Sequence, residues 1–440
     1  MTVEVAIMNQ SAIALAADSA VTIGDPRNPK IFNSVNKLFT LSKYEPVGIM
    51  VFGNARFMNM PWETIVKLYR NELQETKFPS IREYAEDFVK FLTRRNRLFT
   101  DDIQSETIER VLSFCYDQVL RDIISSVGNS SKEGQELSPN DIKAIVTHEV
   151  EKHAAAVREL PDLPRDNCPR PSVLKKSYGA VFDQVRELIF EQLPMSASTE
   201  KKLIELGVNL WSKDWFSPFH SGVVVAGFGE NEVFPGLTEI LLDGIAANVL
   251  KFKVARNLVV DHSTLGAAIV PFADTDVIRG FMDGISYDVA EHIADFLKDL
   301  LGEYHNKIGE QIAHKKDSEA KKLETTFATI TEGQLERFRK SLQEISQKKH
   351  SANIINAVSI LPKDELASMA EALVNLTSFK KRISFDKETV GGPIDVAVIS
   401  KGDGLVWIRR KHYFDKDLNH HFLANYYRDR SNDGGSENGS

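Results

Sequence analysis

The chain is poor in cysteine. Only Cys115 and Cys168 occur among 440 residues, with no Cys-x-x-Cys pair, so neither a disulfide framework nor a zinc site is supported and a reducing cytoplasm fits. Long apolar runs are missing as well, and nothing approaches the roughly 20 residues that span a bilayer. The first residues carry no basic leader, and Glu4, Asn9, Gln10 and Ser11 break their apolar pattern, unlike a secretory signal. Positive charge is in deficit: 54 Lys and Arg stand against 62 Asp and Glu, a formal net charge of −8. That argues against a broad basic surface for nucleic acid. The expectation is a soluble protein with no nucleic-acid or membrane partner. Phosphate-binding loops are absent too, since Gly227-Phe228-Gly229 and Gly391-Gly392 lack both a following Lys-Ser/Thr and a GxGxxG spacing. His148-Glu149 and His153 hold a spacing of five rather than the four that sets two imidazoles on one helix face. No metal and no cofactor are expected.

What is present is ordinary in amount and ordered in pattern. Hydrophobic residues make up 42% and charged residues 26%, as in folded globular proteins. Thr2 to Met8 alternates in polarity, Asn9-Gln10-Ser11 signals a turn, and Ala12 to Ala17 reads as a buried strand. Val35 to Leu41 and Val47 to Phe52 form a second strand pair. From Ala55 to Trp215 the apolar spacing is helical, with breaks at 77–80, 128–131 and 160–171. Strands resume at Ser221 to Phe228, Thr238 to Asp243 and Val249 to Ala255. A helix begins near Asp274, and a long charged helical stretch, read as a solvated hairpin or arm, covers Asp288 to Lys349. Another helix spans Lys363 to Phe379. Two strands, Ile394 to Ser400 and Leu405 to Arg410, flank a Gly-Asp-Gly turn. The polar Gly/Ser tail 431–440 reads as disordered.

Chemistry concentrates at the start. A hydroxyl residue, Thr2, directly follows Met1, and small second residues generally permit removal of the initiator. The new terminus would carry nucleophile and base on one residue, because a free α-amine titrates at about 7.7–8.0 and is a usable base at neutral pH. Sixteen positions later comes Asp18, closing Ala16-Ala17-Asp18 on a buried strand, where a carboxylate needs a partner.

Five segments in order, Thr2 with Ala16-Ala17-Asp18-Ser19, Val35-Asn36-Lys37-Leu38-Phe39, Met50-Val51-Phe52-Gly53-Asn54-Ala55, Gly280-Phe281-Met282-Asp283 and Val390-Gly391-Gly392-Pro393, resemble the proteasome β-subunits and the related bacterial protease HslV among the N-terminal nucleophile hydrolases. The resemblance implies an α+β fold, a four-layer αββα sandwich with two helical insertions. On it, residues 1–430 form one domain with its core at about 1–94, 220–287 and 362–427, and insertions at about 95–215 and 288–360. It also implies threonine-dependent hydrolysis of peptide bonds, with Thr2 as nucleophile, Lys37 near its amine and Asp18 holding Lys37 charged. The backbone N–H of Phe52 or Gly53 would form the oxyanion hole, and the backbone of Thr22 would pair with an extended substrate. Asp386 and Thr389 are the matching support residues, and Ala273 stands where the family has an auxiliary serine. The partners implied are a peptide or protein substrate and further copies of the chain in a ring or dimer, with an ATPase unfoldase left open. The rival expectation is a non-catalytic subunit acting as scaffold or binding module.

Overall fold

The strands of the first fifty residues separate into two five-stranded sheets and a two-stranded ribbon of their own. The computed structural model of the protein describes residues 3–23, 30–94, 98–131, 137–191, 193–261, 266–312, 317–383, 391–412, 414–415, 417–421 and 424. Thr2, Asp386 and Thr389 therefore lie outside the described residues. The first stretch supplies β1 (Val3–Asn9), β2 (Ile13–Ala17), β3 (Val21–Ile23), β4 (Lys30–Phe32), β5 (Leu38–Thr40) and β6 (Val47–Gly53). A two-stranded ribbon of β7 (Arg56–Phe57) and β8 (Met60–Pro61) precedes the helices α1 (Trp62–Leu73) and α2 (Ile81–Arg94).

Four helices follow, α3 (Asp101–Ser131), α4 (Pro139–Glu159), α5 (Pro171–Phe190) and α6 (Ala197–Asn209). Ser138 and Asp141 form a capping box at the start of α4, with Pro139 inside the first turn, where its missing N–H costs nothing. Gly128 does not end α3 as its sequence neighbourhood suggests, since the helix runs three residues further. Leu112, Tyr116, Val150, Phe182, Leu206 and Trp211 fill an apolar cluster belonging to these helices and the turn after them.

Then come β9 (Ser221–Gly227), β10 (Gly236–Ala246), β11 (Val249–Val259) and β12 (Ala267–Ala273). The sequence reading missed β12. Its run Ala-Ala-Ile-Val-Pro-Phe-Ala is short and carries a proline, which weighs against a central strand, and the structure puts it at a sheet edge. After it lie α7 (Asp276–Asp283), the helices α8 (Tyr287–Ile312) and α9 (Asp317–Ser346), which pack on each other, then α10 (Ala352–Ser359), α11 (Lys363–Ile383), β13 (Asp395–Ser400) and β14 (Gly404–Arg409).

One antiparallel sheet has the order β12-β1-β2-β13-β14 and the other β11-β10-β9-β6-β5. The protein is thus a mixed α/β chain built on antiparallel sheets and many helices. Side chains alternate across both sheets, as the period of two demands. On β1, Val3, Val5 and Ile7 join Leu366, Ala370 and Leu373 of α11, while Ala6 and Met8 join Met50 and Phe52 of β6 and Val224 of β9. On β6, Ile49 and Val51 turn the other way, toward Ile65 of α1 and Phe88 of α2.

Phe52 shows how tight the join between sheets is. Its ring stacks on Phe272, with centroids 5.6 Å apart, and covers Gly222, where a Cβ would fall 1.9 Å from the ring. Gly222→Ala is expected to force the ring out of its stack and to cost about 1–3 kcal/mol. Urea unfolding reads the loss directly.

Candidate active site

Asp18 follows the last residue of β2 and is completely buried, so its charge survives only by being saturated. Four donors do this. The backbone N–H of Val3 (3.2 Å) and the Lys37 ammonium reach Oδ1, and the N–H groups of Ala20 (3.3 Å) and Gly391 (3.1 Å) reach Oδ2. Charge-assisted bonds of this kind are the strong ones. Val3 is the residue after Thr2, so Asp18 is bonded to the chain next to the expected nucleophile. Lys37 immediately precedes β5 rather than lying within a strand, and its ammonium is buried against Asp18. The backbone of Lys37 still joins the sheet, its carbonyl accepting from Val51 N–H at 2.9 Å.

The Gly391-Gly392-Pro393 segment fastens to the same place. Ser19 N–H donates to the Gly391 carbonyl (3.2 Å), and the Ser19 hydroxyl donates to the Pro393 carbonyl. Asp18, Lys37 and the Gly-Gly segment, more than 350 residues apart in places, are therefore one assembly.

β6 ends in Gly53 with φ +82°, in the left-handed region that suits glycine. A Cβ here would come 2.8 Å from the His220 carbonyl. The turn beyond is held by Ser221, whose hydroxyl donates to the Asn54 carbonyl (3.2 Å) and accepts from the Trp62 indole (3.1 Å). A cleft of about 300 Å³ opens between these elements, lined by Val21, Lys37, Val51, Gly53, Trp62 and Glu63 among others. Burial pushes the Glu63 carboxyl up, but Lys67, Asn36 and the charge of Arg410 together hold it below its ordinary range.

Gly53 also borders a second cleft of about 370 Å³, on the side of Phe52, His220, Glu239, Arg256 and Phe272. Burial raises the Glu239 carboxyl above its ordinary 4.5, with the Arg256 charge opposing. The folded protein then keeps a proton that the unfolded chain has lost, so stability falls as pH rises from 4.5 through the folded value. Glu239→Gln is expected to remove that fall. Melting curves between about pH 4 and about pH 7 should show the variant gaining on the wild type as pH rises.

The remaining expected residues divide. Thr22 lies on β3, which pairs with β4 through Thr22 and Ile31. Phe52 faces the join between the sheets, whereas Gly53 lines both clefts. Ala273, at φ +59°, ends β12 directly opposite Val3. Sequence reasoning missed a grouping on α3 and α4: Asp122, Glu149 and His153 bring ligand atoms within 4.8 Å of one another. Glu149 and His153 are four apart, which is the signal that could have found them. Their polar atoms are engaged, His153 with Asp122 at 2.9 Å and Glu149 with Ser126 at 2.9 Å and Lys152 at 3.1 Å.

Cys115 and Cys168 are both free and buried. Among the described residues no helix is long and apolar enough to cross a membrane.

No family model matches the chain, and no curated protein does. Among solved structures, the chain is similar to Anbu (ancestral beta-subunit) from Yersinia bercovieri, at 10% identity and a TM-score of 0.26, with 100% of each chain covered. A likeness of that size carries no argument. The identification with the proteasome β-subunit and HslV family is therefore corrected. Its five segments are short, two of them turn on glycines, Gly53 and Gly392, of the kind that recur wherever a chain must bend, and no family model matches the chain that holds them.

Proposed function

We propose that the protein is an N-terminal threonine hydrolase of peptide or other amide bonds, working through Thr2 once Met1 is removed. The observation that carries this reading is the buried Asp18–Lys37 pair, with Asp18 also bonded to Val3 N–H and the lysine lining a cleft that ends at Gly53. In the proposed reaction the Thr2 hydroxyl adds to the substrate carbonyl while its α-amine takes the hydroxyl proton. The amine then protonates the departing amine, and water hydrolyses the remaining ester. The Lys37 charge disfavours protonation of the α-amine, and Asp18 holds Lys37 in place. The Gly53 N–H is favoured over that of Phe52 as the oxyanion donor, since Gly53 borders the cleft shared with Lys37. Asp386 and Thr389 remain candidate supports, and the β3 backbone at Thr22 a candidate substrate edge.

The wider reading follows from the same core. The apolar clusters support an αββα order of layers in one domain, with α3–α6 and α8–α9 as the helical insertions. We further propose a cytoplasmic protein that assembles with its own copies, as a ring or dimer, and acts on peptide or protein substrates. One observation favours the second reading, a non-catalytic scaffold or binding module: Ala273, opposite Val3, offers no hydroxyl.

Intact-mass measurement separates the two. After incubation with a threonine-directed epoxyketone, the wild type is expected to lack Met1 and to gain one probe mass, while Thr2→Ala gains none. Retention of Met1, or equal labelling of both proteins, overturns the hydrolase.

A further inference from the structure

A second buried lysine–carboxylate pair adjoins the first. Asp395, the first residue of β13, stands opposite Ala17 in the register with β2, next to Asp18. Both of its oxygens are taken by Lys411, two residues beyond β14: the backbone N–H donates to Oδ1 at 2.8 Å and the ammonium to Oδ2. The Asp395 side chain is buried, at 3% exposure, and that of Lys411 nearly so, at 10%. Burial pushes the Lys411 ammonium below its ordinary value, Asp395 and Asp18 oppose this, and the charge of Lys37 adds to it. Lys411 thus senses the charges of Asp395, Asp18 and Lys37. Neighbouring Arg410 is engaged elsewhere, over the Trp407 ring at 4.6 Å.

Two buried carboxylates near one lysine would compete for it, because an ammonium is a compact charge on a flexible stem. With both Asp395 oxygens engaged by Lys411, that competition does not arise. We propose that Lys411 is a positioning residue which, by occupying Asp395, leaves Lys37 to Asp18 and fixes where the Lys37 ammonium points. The functional consequence rests on the threonine-hydrolase reading. Without Lys411, Asp395 draws Lys37 away from the terminus that it serves. With both Lys411 and Asp395 neutral, the competitor is gone and Lys37 returns.

The test compares epoxyketone labelling rates of the full-length wild type, K411M, K411R and the double variant D395N/K411M, with thermal melts alongside. K411M is expected to label about tenfold more slowly, and the double variant to return to within about threefold of wild type. A purely structural role predicts the opposite, the double variant being at least as slow as K411M. If K411M does not fold, K411R and the double variant carry the test, both expected within about threefold of wild type. Wild-type labelling in K411M, or a double variant no faster than K411M, overturns the proposal alone. A folded wild type that is not labelled at all overturns it together with the hydrolase reading.

Discussion

Lys37→Met is expected to destabilise the protein by about 3 kcal/mol and to abolish labelling of Thr2. The stability loss follows from the burial of its partner. Asp18 is inaccessible to solvent, so removing the ammonium leaves a carboxylate held only by the N–H groups of Val3, Ala20 and Gly391. Those three bonds keep the loss at the low end for a broken buried pair. Asp18→Asn combined with Lys37→Met removes both charges and is expected to recover most of the stability, because no unpaired charge remains. It should recover no labelling, since the cation that the proposed reaction needs is still missing. Denaturant unfolding of the single and double variants, read beside intact mass, tests both halves. A single variant as stable as the wild type would show that the pair contributes nothing to the fold.

The second large effect lies away from the cleft. Lys251→Met is expected to cost about 3–5 kcal/mol and to leave a loosened segment before β9. Lys251 is completely buried on β11. Its ammonium donates to the Leu210 carbonyl (2.7 Å), to the Trp215 carbonyl and to Asp243 Oδ2 (2.9 Å), and it faces the rings of Trp215 and Phe216. Burial lowers its pKa, with Asp243 opposing. One lysine thus ties the segment after α6 to the β10–β11 pair, and Asp243 continues the tie through the N–H (3.2 Å) and hydroxyl of Ser217. That segment leads to His220 and Ser221, which hold the Gly53 turn. Hydrogen exchange should show residues 210–220 opening in the variant, together with a fall in melting temperature. An unchanged melting temperature would contradict this account.

Much of the layout was legible in the residues. The near-continuous apolar runs of β1, β2, β6, β9 and β13 mark them as short buried strands, because each buries both faces and has few polar interruptions. The helical spacing of α1 and α2 is equally local. Asp18 declared itself as a carboxylate closing an apolar strand, where it needs a partner. Its partners were not legible from spacing, since Lys37, Val3 and Gly391 meet it only after three separate segments converge. β12 escaped because a short apolar run with a proline carries no decisive period. The Glu149–His153 pair, four apart, is masked in the sequence by His148, whose spacing of five from His153 sets the two imidazoles on different faces.

The sequence by itself determined most of the strands and helices, though not β3, β4, β7, β8 or β12, and that one carboxylate would need a partner. Local periodicity and the cost of burying charge are properties of a few adjacent residues. Only the tertiary structure decided that Asp395 takes Lys411, that Val3 and Gly391 close on Asp18 beside Lys37, and that Gly53 borders the cleft and Phe52 the core. Pairing among buried charges depends on distances set by sheet register and chain crossing, and no window of sequence contains those distances.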